Sequence, residues 1–409
     1  MPILRPSGSD FTSFVKAAAQ YVPSGTTAKA SKSGGVSVAK PGLGAVVRTS
    51  QVGALSSPTT SAVVINGVTP PAVVPAVPTW VNGGVVTTLA TLLNNTQDVA
   101  VSQDGTRLYV VAGANVYVVT YPGGVVTSLA GNGNSGYADG TGTDAMFRAP
   151  GGIAVLPNGN LVVADTFYGY IRLVTYPGGV VTTLAGNGAS GSVDGTGASA
   201  GFAGVNGIAA LPNGNIVVSD GGGQRIRLIT TATYLPNSGV VTTLAGSGST
   251  GSTDGTGTGA TFNQPIGIAV LPNGAIVVAD SYSQRIRMVT TATYLPNSGV
   301  VTTLAGSSLG FADGTGTAAN FIRPKGIDVL PNGNLIVSDT DNNRIRLIKT
   351  STYLPNSGVV TTLAGSGIEQ YLDGTGVAAG FRAPMGIAAL SNGSIAVAGN
   401  LDNTIRLIT

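Results

Sequence analysis

The 409-residue chain contains no cysteine, no histidine, a single glutamate and a single tryptophan, and only 9% of its residues are charged. An average soluble domain carries about 25% charged residues. The absence of cysteine excludes disulfides, thiolate nucleophiles and Cys-ligated metals. The absence of histidine excludes Ser–His and Cys–His catalytic units and imidazole metal ligands. These exclusions favour a protein that is not an enzyme and that carries no cofactor or metal.

The chain is instead rich in glycine (62 residues), with 22 prolines and abundant Thr, Val, Ser and Asn, a composition typical of β-strands and turns. Its basic character lies in residues 1–80, which carry six Lys or Arg and one Asp, whereas residues 81–409 are almost balanced. The six basic residues are spread over the first 48 residues, a weak electrostatic footprint that argues against a nucleic-acid partner. The sequence has no apolar run of membrane-spanning length and no evident signal peptide.

A turn of the type Pro-Asn-Gly recurs along residues 81–409 at intervals of 54 to 60 residues. It separates two apolar, β-branched runs, which is a strong signal for a β-hairpin. Two further runs follow, of the types Arg-Ile-Arg-Leu-Ile and Val-Val-Thr-Thr-Leu-Ala, so each unit contains four predicted strands, named a to d in chain order. The six turns end at Gly105, Gly159, Gly214, Gly274, Gly333 and Gly393.

Six units of four strands predict an all-β fold, a six-bladed β-propeller with strand a nearest the axis. The last unit ends after its strand c, at residues 405–409, whereas a complete strand d sequence at residues 84–90 precedes the first strand a. An open ring would leave unpaired strand edges. We therefore predict that 84–90 pairs with 405–409 and closes the ring in the last blade.

The units resemble NHL repeats. The matching motifs are Gly-Ile-Ala-Val at the start of a unit, the Asn-Gly turn, Val-Val-Ala-Asp, and Asn-Arg-Ile-Arg as at residues 343–346. The resemblance covers residues 81–409 and implies the propeller fold. It says little about function, because such propellers serve as lyases, sensors, RNA binders and protein-binding scaffolds. NHL-type lyases use a zinc site built on histidine, which this chain does not have.

Residues 1–80 are predicted to form an extended low-complexity arm of Ser, Thr, Gly, Ala, Val and Pro. Within it, Phe11, Phe14 and Val15 recur at helical spacing between a capping serine and a proline, which predicts one short amphipathic helix over about residues 10–22. We expect these three apolar side chains to anchor the arm on another protein.

Two sets of charged residues recur with the repeat. They could form a ring that binds Ca²⁺ or a polyhydroxylated ligand. Alternatively they are structural, with the first Asp capping its own turn and the second Asp paired with an Arg across a hairpin. We favour the structural interpretation, because a motif present in nearly every unit usually builds the unit. The first set, in Asp-Gly-Thr-Gly, is Asp139, Asp194, Asp254, Asp313 and Asp373. The second set is Asp165, Asp220, Asp280 and Asp339, with Arg172, Arg227, Arg287 and Arg346 seven residues later.

Residues that break the repeat are better candidates for ligand or partner contacts. Asp328 replaces an alanine on strand a and is predicted to face the axial channel. The other candidates lie just before or at the start of strand a, or in the last loop between strands d and a: Arg323, Lys325, Glu369, Tyr371 and Arg382. On the opposite face, three longer Tyr-Leu-Pro-Asn-Ser-Gly loops could form a docking surface or pack on their own blades; their tyrosines are Tyr234, Tyr294 and Tyr353.

The sequence thus predicts a non-catalytic structural or interaction protein. In this hypothesis the propeller is displayed from a large assembly, such as a virus particle, and residues 1–80 contact other proteins of that assembly. One alternative is a secreted or surface propeller that binds glycans or proteins. A second alternative is a propeller enzyme that uses axial carboxylates with a divalent cation. A virion or an extracellular surface is the expected location.

Overall fold

The computed structural model describes residues 27–30, 36–40, 43–46, 83–91, 94–350 and 353–409. The chain divides into two units, Met1–Val74 and Pro75–Thr409. In the first unit, three short strands pair in chain order as an antiparallel sheet: Thr27–Ala30, Val36–Lys40 and Leu43–Val46. The predicted helix over residues 10–22, with Phe11, Phe14 and Val15, lies outside the described residues. No helix in the described part of the chain is long and apolar enough to cross a membrane.

The second unit is a six-bladed β-propeller of antiparallel sheets, which confirms the predicted fold. Strand a of blades 1 to 6 covers Thr96–Val101, Pro150–Val155, Val205–Ala210, Pro265–Val270, Pro324–Val329 and Pro384–Ala389. Strand b covers Arg107–Ala112, Leu161–Asp165, Ile216–Asp220, Ile276–Asp280, Leu335–Asp339 and Ile395–Gly399. Strand c covers Asn115–Thr120, Tyr170–Val174, Arg225–Thr230, Arg285–Thr290, Arg344–Lys349 and Thr404–Ile408. Strand d covers Val126–Ala130, Val180–Ala185, Val240–Ala245, Val300–Ala305, Val359–Ala364 and, for blade 6, Val85–Thr91.

Blade 6 closes the ring as predicted. Its strand d, Val85–Thr91, comes from the start of the propeller and pairs antiparallel with strand c at Thr404–Ile408. The N–H groups of Val85 and Thr409 each donate to the other's carbonyl oxygen at 3.0 Å. Both ends of the propeller are thus held in one sheet.

The prediction of four strands per blade holds for blade 1 only; the other five sheets have a fifth strand. The Gly-Thr of each Asp-Gly-Thr-Gly motif leaves the preceding blade and pairs with strand d of the next one, at its outer edge. We call these two-residue segments rim strands: Gly140–Thr141, Gly195–Thr196, Gly255–Thr256, Gly314–Thr315 and Gly374–Thr375. A short 3₁₀ helix follows each one: Gly142–Asp144, Gly197–Ser199, Gly257–Gly259, Gly316–Ala318 and Gly376–Ala378. Two more 3₁₀ helices, Ser281–Ser283 and Thr340–Asn342, form b–c turns.

The hydrophobic core lies between neighbouring blades, because β-branched side chains on both faces of each sheet meet those of the next sheet. Close approach of the inner strands depends on glycine. At Gly267 of blade 4 a Cβ atom would overlap the carbonyl oxygen of Lys325 in blade 5. The loops between strands d and a and the turns between b and c share one face of the disc, named here the loop face. The a–b turns and c–d loops form the opposite face.

Candidate binding surfaces on the propeller

The repeated charges form a buried framework at the edge of each blade. In blade 2, Arg172 is fully buried and contacts Asp165 at 3.2 Å and Asp139 at 2.7 Å. The same guanidinium donates to the carbonyl oxygens of Met146 and Ala138. The guanidinium also lies over the ring of Phe147, with its carbon 5.2 Å from the ring centroid. A planar cation with five donors suits this set of acceptors.

The framework occupies five blades. The buried arginines are Arg172, Arg227, Arg287, Arg346 and Arg406. Their fully buried acidic partners are Asp165, Asp220, Asp280 and Asp339. Their partly exposed partners are Asp139, Asp194, Asp254, Asp313 and Asp373. Arg406 was not predicted from the sequence, because Gly399 stands where the paired aspartate is found in the other four blades.

The Asp of each Asp-Gly-Thr-Gly motif does not act as the predicted cap of its own turn. Asp139 accepts hydrogen bonds from the backbone N–H and the hydroxyl of Thr183, on strand d of the following blade. The carboxylate thereby fastens the rim strand to that blade and reaches Arg172 at the same time. Both repeated sets of charged residues therefore belong to the framework that holds each blade together.

The axial channel is a cavity of about 310 Å³ lined by strand a of all six blades. Asp328 lies in this lining, and its carboxylate accepts the backbone N–H of Ala389 at 2.8 Å. A second carboxylate, Asp98, accepts the N–H of Ile153 at 3.0 Å. Asp98 was not predicted from the sequence, although it stands where the other five blades have a strand-a glycine such as Gly326.

Both channel carboxylates are perturbed by burial. Burial raises the pKa of Asp98 to about 7, with a small further contribution from the negative charge of Asp328. Burial raises the pKa of Asp328 to about 6. Lys325 also lines the channel, its ammonium lies 3.3 Å from the sulfur of Met385, and burial lowers its pKa. In the described part of the chain, no three His, Cys, Asp or Glu side chains gather in a group that could hold a metal ion.

An aromatic cluster lies on the loop face of blade 2. The rings of Tyr137 and Tyr170 stack with centroids 4.3 Å apart, and Tyr168 lies at 6.1 to 6.5 Å from both. Phe167 is 61% exposed, and the Arg148 guanidinium lies 3.5 Å from the centre of its ring. The sequence signal for this cluster is Thr-Phe-Tyr-Gly-Tyr in a b–c turn that is small or polar in most other blades.

Four of the predicted repeat-breaking residues lie on the same face as this cluster, whereas Asp328 and Lys325 line the channel. Arg323 pairs with Asp341 at 3.0 Å. Arg382 contacts Glu369 at 3.4 Å. The Tyr371 hydroxyl shares a hydrogen bond of 2.5 Å with the hydroxyl of Thr88. These surface ion pairs are open to solvent and contribute little to stability.

The three Tyr-Leu-Pro loops on the opposite face pack partly on their own blades. The Tyr234 hydroxyl donates to the carbonyl oxygen of Gly214 in the a–b turn of the same blade at 2.5 Å, and the equivalent tyrosines do the same. The following leucines remain 59% exposed: Leu235, Leu295 and Leu354. Tyr234, Tyr294 and Tyr353 therefore hold loop and turn together, while the leucines project outward.

Comparison with known proteins places this architecture among repeat propellers. Residues 262–287 and 321–346 match the model of the NHL repeat. Protein SUPPRESSOR OF QUENCHING 1, chloroplastic, of Arabidopsis thaliana is 29% identical over 303 residues, which cover 69% of this chain and 27% of that protein. NHL repeat-containing protein 2 of Gallus gallus is 28% identical over 340 residues, 75% of this chain and 45% of that protein. The chain spans less than half the length of either relative.

Solved structures share the fold at low sequence identity. An auxiliary nutrient binding protein from Bacteroides ovatus superposes with a TM-score of 0.57 at 18% identity, covering 80% of this chain and 77% of that structure. A gluconolactonase from Xanthomonas campestris superposes with a TM-score of 0.51 at 12% identity, covering 79% of this chain and 88% of that structure. Proteins of this shape include both binding proteins and enzymes, so the similarity extends to the fold alone.

Proposed function

Because this chain carries NHL repeats in a six-bladed β-propeller, we propose that it is a non-catalytic scaffold whose loop face binds a partner protein. Residues 1–80 anchor the scaffold in a larger assembly, through the predicted helix with Phe11, Phe14 and Val15. The disc is displayed outward from that assembly, on a particle or a cell surface. In this proposal the framework arginines and aspartates stabilise the disc and take no part in catalysis.

One observation carries this proposal, namely the large apolar side chains that the loop face exposes. Exposed apolar surface of this kind marks interaction sites, and interface cores are enriched in aromatic residues and arginine. Leu309 is 67% exposed and Ile368 is 65% exposed, although both lie in loops held between well-packed strands. The set on d–a loops and b–c turns is Tyr137, Phe167, Val193, Tyr282, Leu309, Phe311, Ile368, Tyr371, Leu372, Val377 and Leu401.

The aromatic cluster of blade 2 has the composition of a binding hot spot. Tyrosine and arginine dominate such spots, where a few anchors supply most of the binding energy. Phe167 and Tyr137 offer exposed ring surface on rigid turns, so little side-chain entropy is lost on binding. The Arg148 guanidinium has no carboxylate within 4.0 Å among the described residues. An acidic group of the partner would complement it.

The same cluster favours glycans as a second class of ligand. The apolar face of a sugar ring packs against exposed aromatic rings, and polar groups at the edge of a site fix its orientation. Phe167 supplies an exposed ring and Arg148 a polar edge. Glycan-array binding by the full chain, lost in Phe167→Ala, would support this second function over the first.

The main proposal is tested with paired surface variants of the full chain. Protein neighbours are identified by proximity labelling in the source cells, and each purified neighbour is then titrated against the variants. We expect Phe167→Ala and Phe311→Ala to weaken the binding of the true partner at least about tenfold, while Leu295→Ala and Leu354→Ala on the opposite face leave it unchanged. Equal effects from both faces would contradict the proposal. Deletion of residues 1–80 is expected to release the propeller from its assembly without weakening partner binding.

A further inference from the structure

Blade 1 differs from the other five blades at its outer edge. Its sheet has four strands, and nothing among the described residues pairs with the outer side of strand d, Val126–Ala130. In the other blades the rim strand covers that edge. Blade 1 lacks a rim strand because only four residues separate Thr91, at the end of the preceding strand d, from Thr96, at the start of its strand a.

The uncovered edge is visible in the exposure of the side chains. In blade 2, Val181 and Thr183 on strand d are 1% and 3% exposed. The equivalent residues of blade 1 are Val126, which is half-buried, and Ser128, which is exposed. The backbone N–H and C=O groups of successive residues point to alternate sides of strand d. The Val125 carbonyl oxygen accepts from the Thr120 N–H on strand c, and the Val125 N–H donates to the Thr120 hydroxyl. The backbone groups of Val126 and Ser128 therefore point outward.

The residues that fasten a rim strand are also missing from blade 1. Tyr117 stands where blade 2 has Arg172, and Ser128 stands where it has Thr183. Blade 1 is therefore not built to receive an Asp-Gly-Thr strand. Its edge also lacks the charges that natural proteins place on exposed edges to prevent pairing. No Lys, Arg, Asp or Glu occurs anywhere between Arg107 and Asp139.

We propose that this edge pairs with the same edge of a second copy of the chain, in an antiparallel arrangement about a two-fold axis. An antiparallel strand edge is self-complementary, because rotation by two-fold symmetry brings each N–H opposite a carbonyl oxygen. An uncharged edge adds no like-charge repulsion when it meets its own copy. The inference rests on the blade edge and is independent of the proposed function of the loop face.

The outward groups set the register of the pair. Val126 and Ser128 each carry an outward N–H and an outward C=O. Val126 of each copy therefore forms backbone hydrogen bonds with Ser128 of the other copy. The two-fold axis then passes beside Thr127, which faces its own counterpart as a non-hydrogen-bonded pair. Side chains at such a position lie close together, with Cβ atoms about 4.5 to 5.5 Å apart. Thr127 is exposed and is therefore free to make this contact.

Sedimentation of the full chain tests the proposal with a charge placed on the axis. The native chain is expected to sediment as a dimer, and Thr127→Lys to shift it to the monomer, because two ammonium groups would meet at the axis. The matched control is Thr182→Lys, at the equivalent position of blade 2, where the rim strand already covers the edge. This control should remain dimeric. A monomeric native chain, or a Thr127→Lys dimer, would overturn the proposal.

Charge reversal then tests the register itself. Thr127→Lys and Thr127→Glu are each expected to be monomeric alone and to form a heterodimer when mixed, because opposite charges now face each other. Failure of the mixture to associate would overturn the two-fold register at Thr127. Hydrogen exchange provides a readout that does not depend on charge. The amides of Val126 and Ser128 should exchange fast in the Thr127→Lys monomer and slowly in the native dimer, and slow exchange in both would show that the chain covers its own edge.

Discussion

At the scale of single residues, the propeller concentrates its few charges in buried arginine–carboxylate contacts. Arg287 reaches Asp280 at 2.8 Å and Asp254 at 2.6 Å, and its side chain is fully buried. Removing one partner of a buried pair leaves a charge without compensation, which costs more than the pair itself contributes. The framework is therefore most sensitive where both an arginine and a buried aspartate are present.

Arg287→Met is expected to lower the free energy of unfolding by about 3 to 5 kcal/mol, because Asp280 remains buried without its cation. The matched control is Arg406→Met in blade 6, where Gly399 takes the place of the buried aspartate and the half-exposed Asp373 is the ion-pair partner of Arg406, while the buried carboxylate of Asp402 keeps its contact with Arg382 at 3.7 Å. Urea denaturation of both variants measures the difference. Equal losses would show that the buried aspartate is not the cause.

The channel carboxylates predict a pH dependence of stability. The pKa of Asp98 in the folded chain lies near 7, above the ordinary value of 3.8. The folded state therefore binds this proton more tightly than the unfolded state, and the stability it contributes is present at low pH and lost as the pH rises through 7. Asp98→Asn, which keeps the acceptor for Ile153, should raise the melting temperature at pH 8 and have little effect at pH 4.

Asp104 serves as the control for this pH effect. Its carboxylate accepts hydrogen bonds from the Ser102 hydroxyl and the Thr106 N–H, which hold its pKa below the ordinary value. Its contribution to stability is therefore present above pH 4 and lost as the pH falls, and Asp104→Asn should lower the melting temperature at pH 8. A higher melting temperature for both variants at pH 8 would contradict the assignment to the channel.

At the scale of elements, the rim strand explains why Asp-Gly-Thr-Gly repeats. The two-residue strand covers an edge that would otherwise be open, and the Asp before it fastens it to strand d. In blade 4, Asp254 accepts from the N–H and hydroxyl of Thr303 at 3.0 and 2.9 Å. Loop and blade are therefore held together by one carboxylate.

Asp254→Ala should release the rim strand of blade 4. The Thr303 amide loses its acceptor, so its hydrogen exchange is expected to become at least about tenfold faster. The amide of Thr183, bound to Asp139 in blade 2, is the internal control and should be unchanged. Unaltered exchange at Thr303 would mean that strand pairing, and not the carboxylate, holds the rim strand.

The strands and their order were predictable from the sequence, whereas the rim strands were not. Valine-rich runs and Asn-Gly turns give a clear signal for strands a to d, because burial and turn geometry both demand those residue types. A Gly-Thr pair has no such signal, since its pairing depends on where the loop crosses to the next blade. Asp98 escaped prediction for a related reason, because blade 1 does not carry the Gly-Ile pair that aligns the other units.

At the scale of the whole molecule, closure depends on one strand from the other end of the propeller. Deleting residues 1–91 removes strand d of blade 6 and exposes the edge of strand c at Thr404–Ile408. We expect this deletion to abolish cooperative thermal unfolding or to cause aggregation. Deleting only residues 1–80 keeps Val85–Thr91 and should leave the melting temperature of the propeller unchanged. Calorimetry of both deletions checks the prediction, and equal behaviour would argue against closure through blade 6.

In the proposed function, different residues of the disc provide stability and recognition. Repeated residues brace the blades, whereas several of the side chains that differ between blades are exposed on the loop face, where Phe167 and Phe311 are 61% and 47% exposed. The sequence offered candidate residues on both faces and did not select one of them, and it could not show which rings are exposed, because exposure depends on packing across blades.

Hydroxyl-radical footprinting of the full chain, alone and bound to its partner protein, reports which face of the disc the partner covers. Binding at the loop face should protect Tyr137, Phe167 and Phe311 and leave Leu235 and Leu295 on the opposite face as reactive as in the free chain. Protection of the two leucines with no change in the three aromatic rings would contradict it.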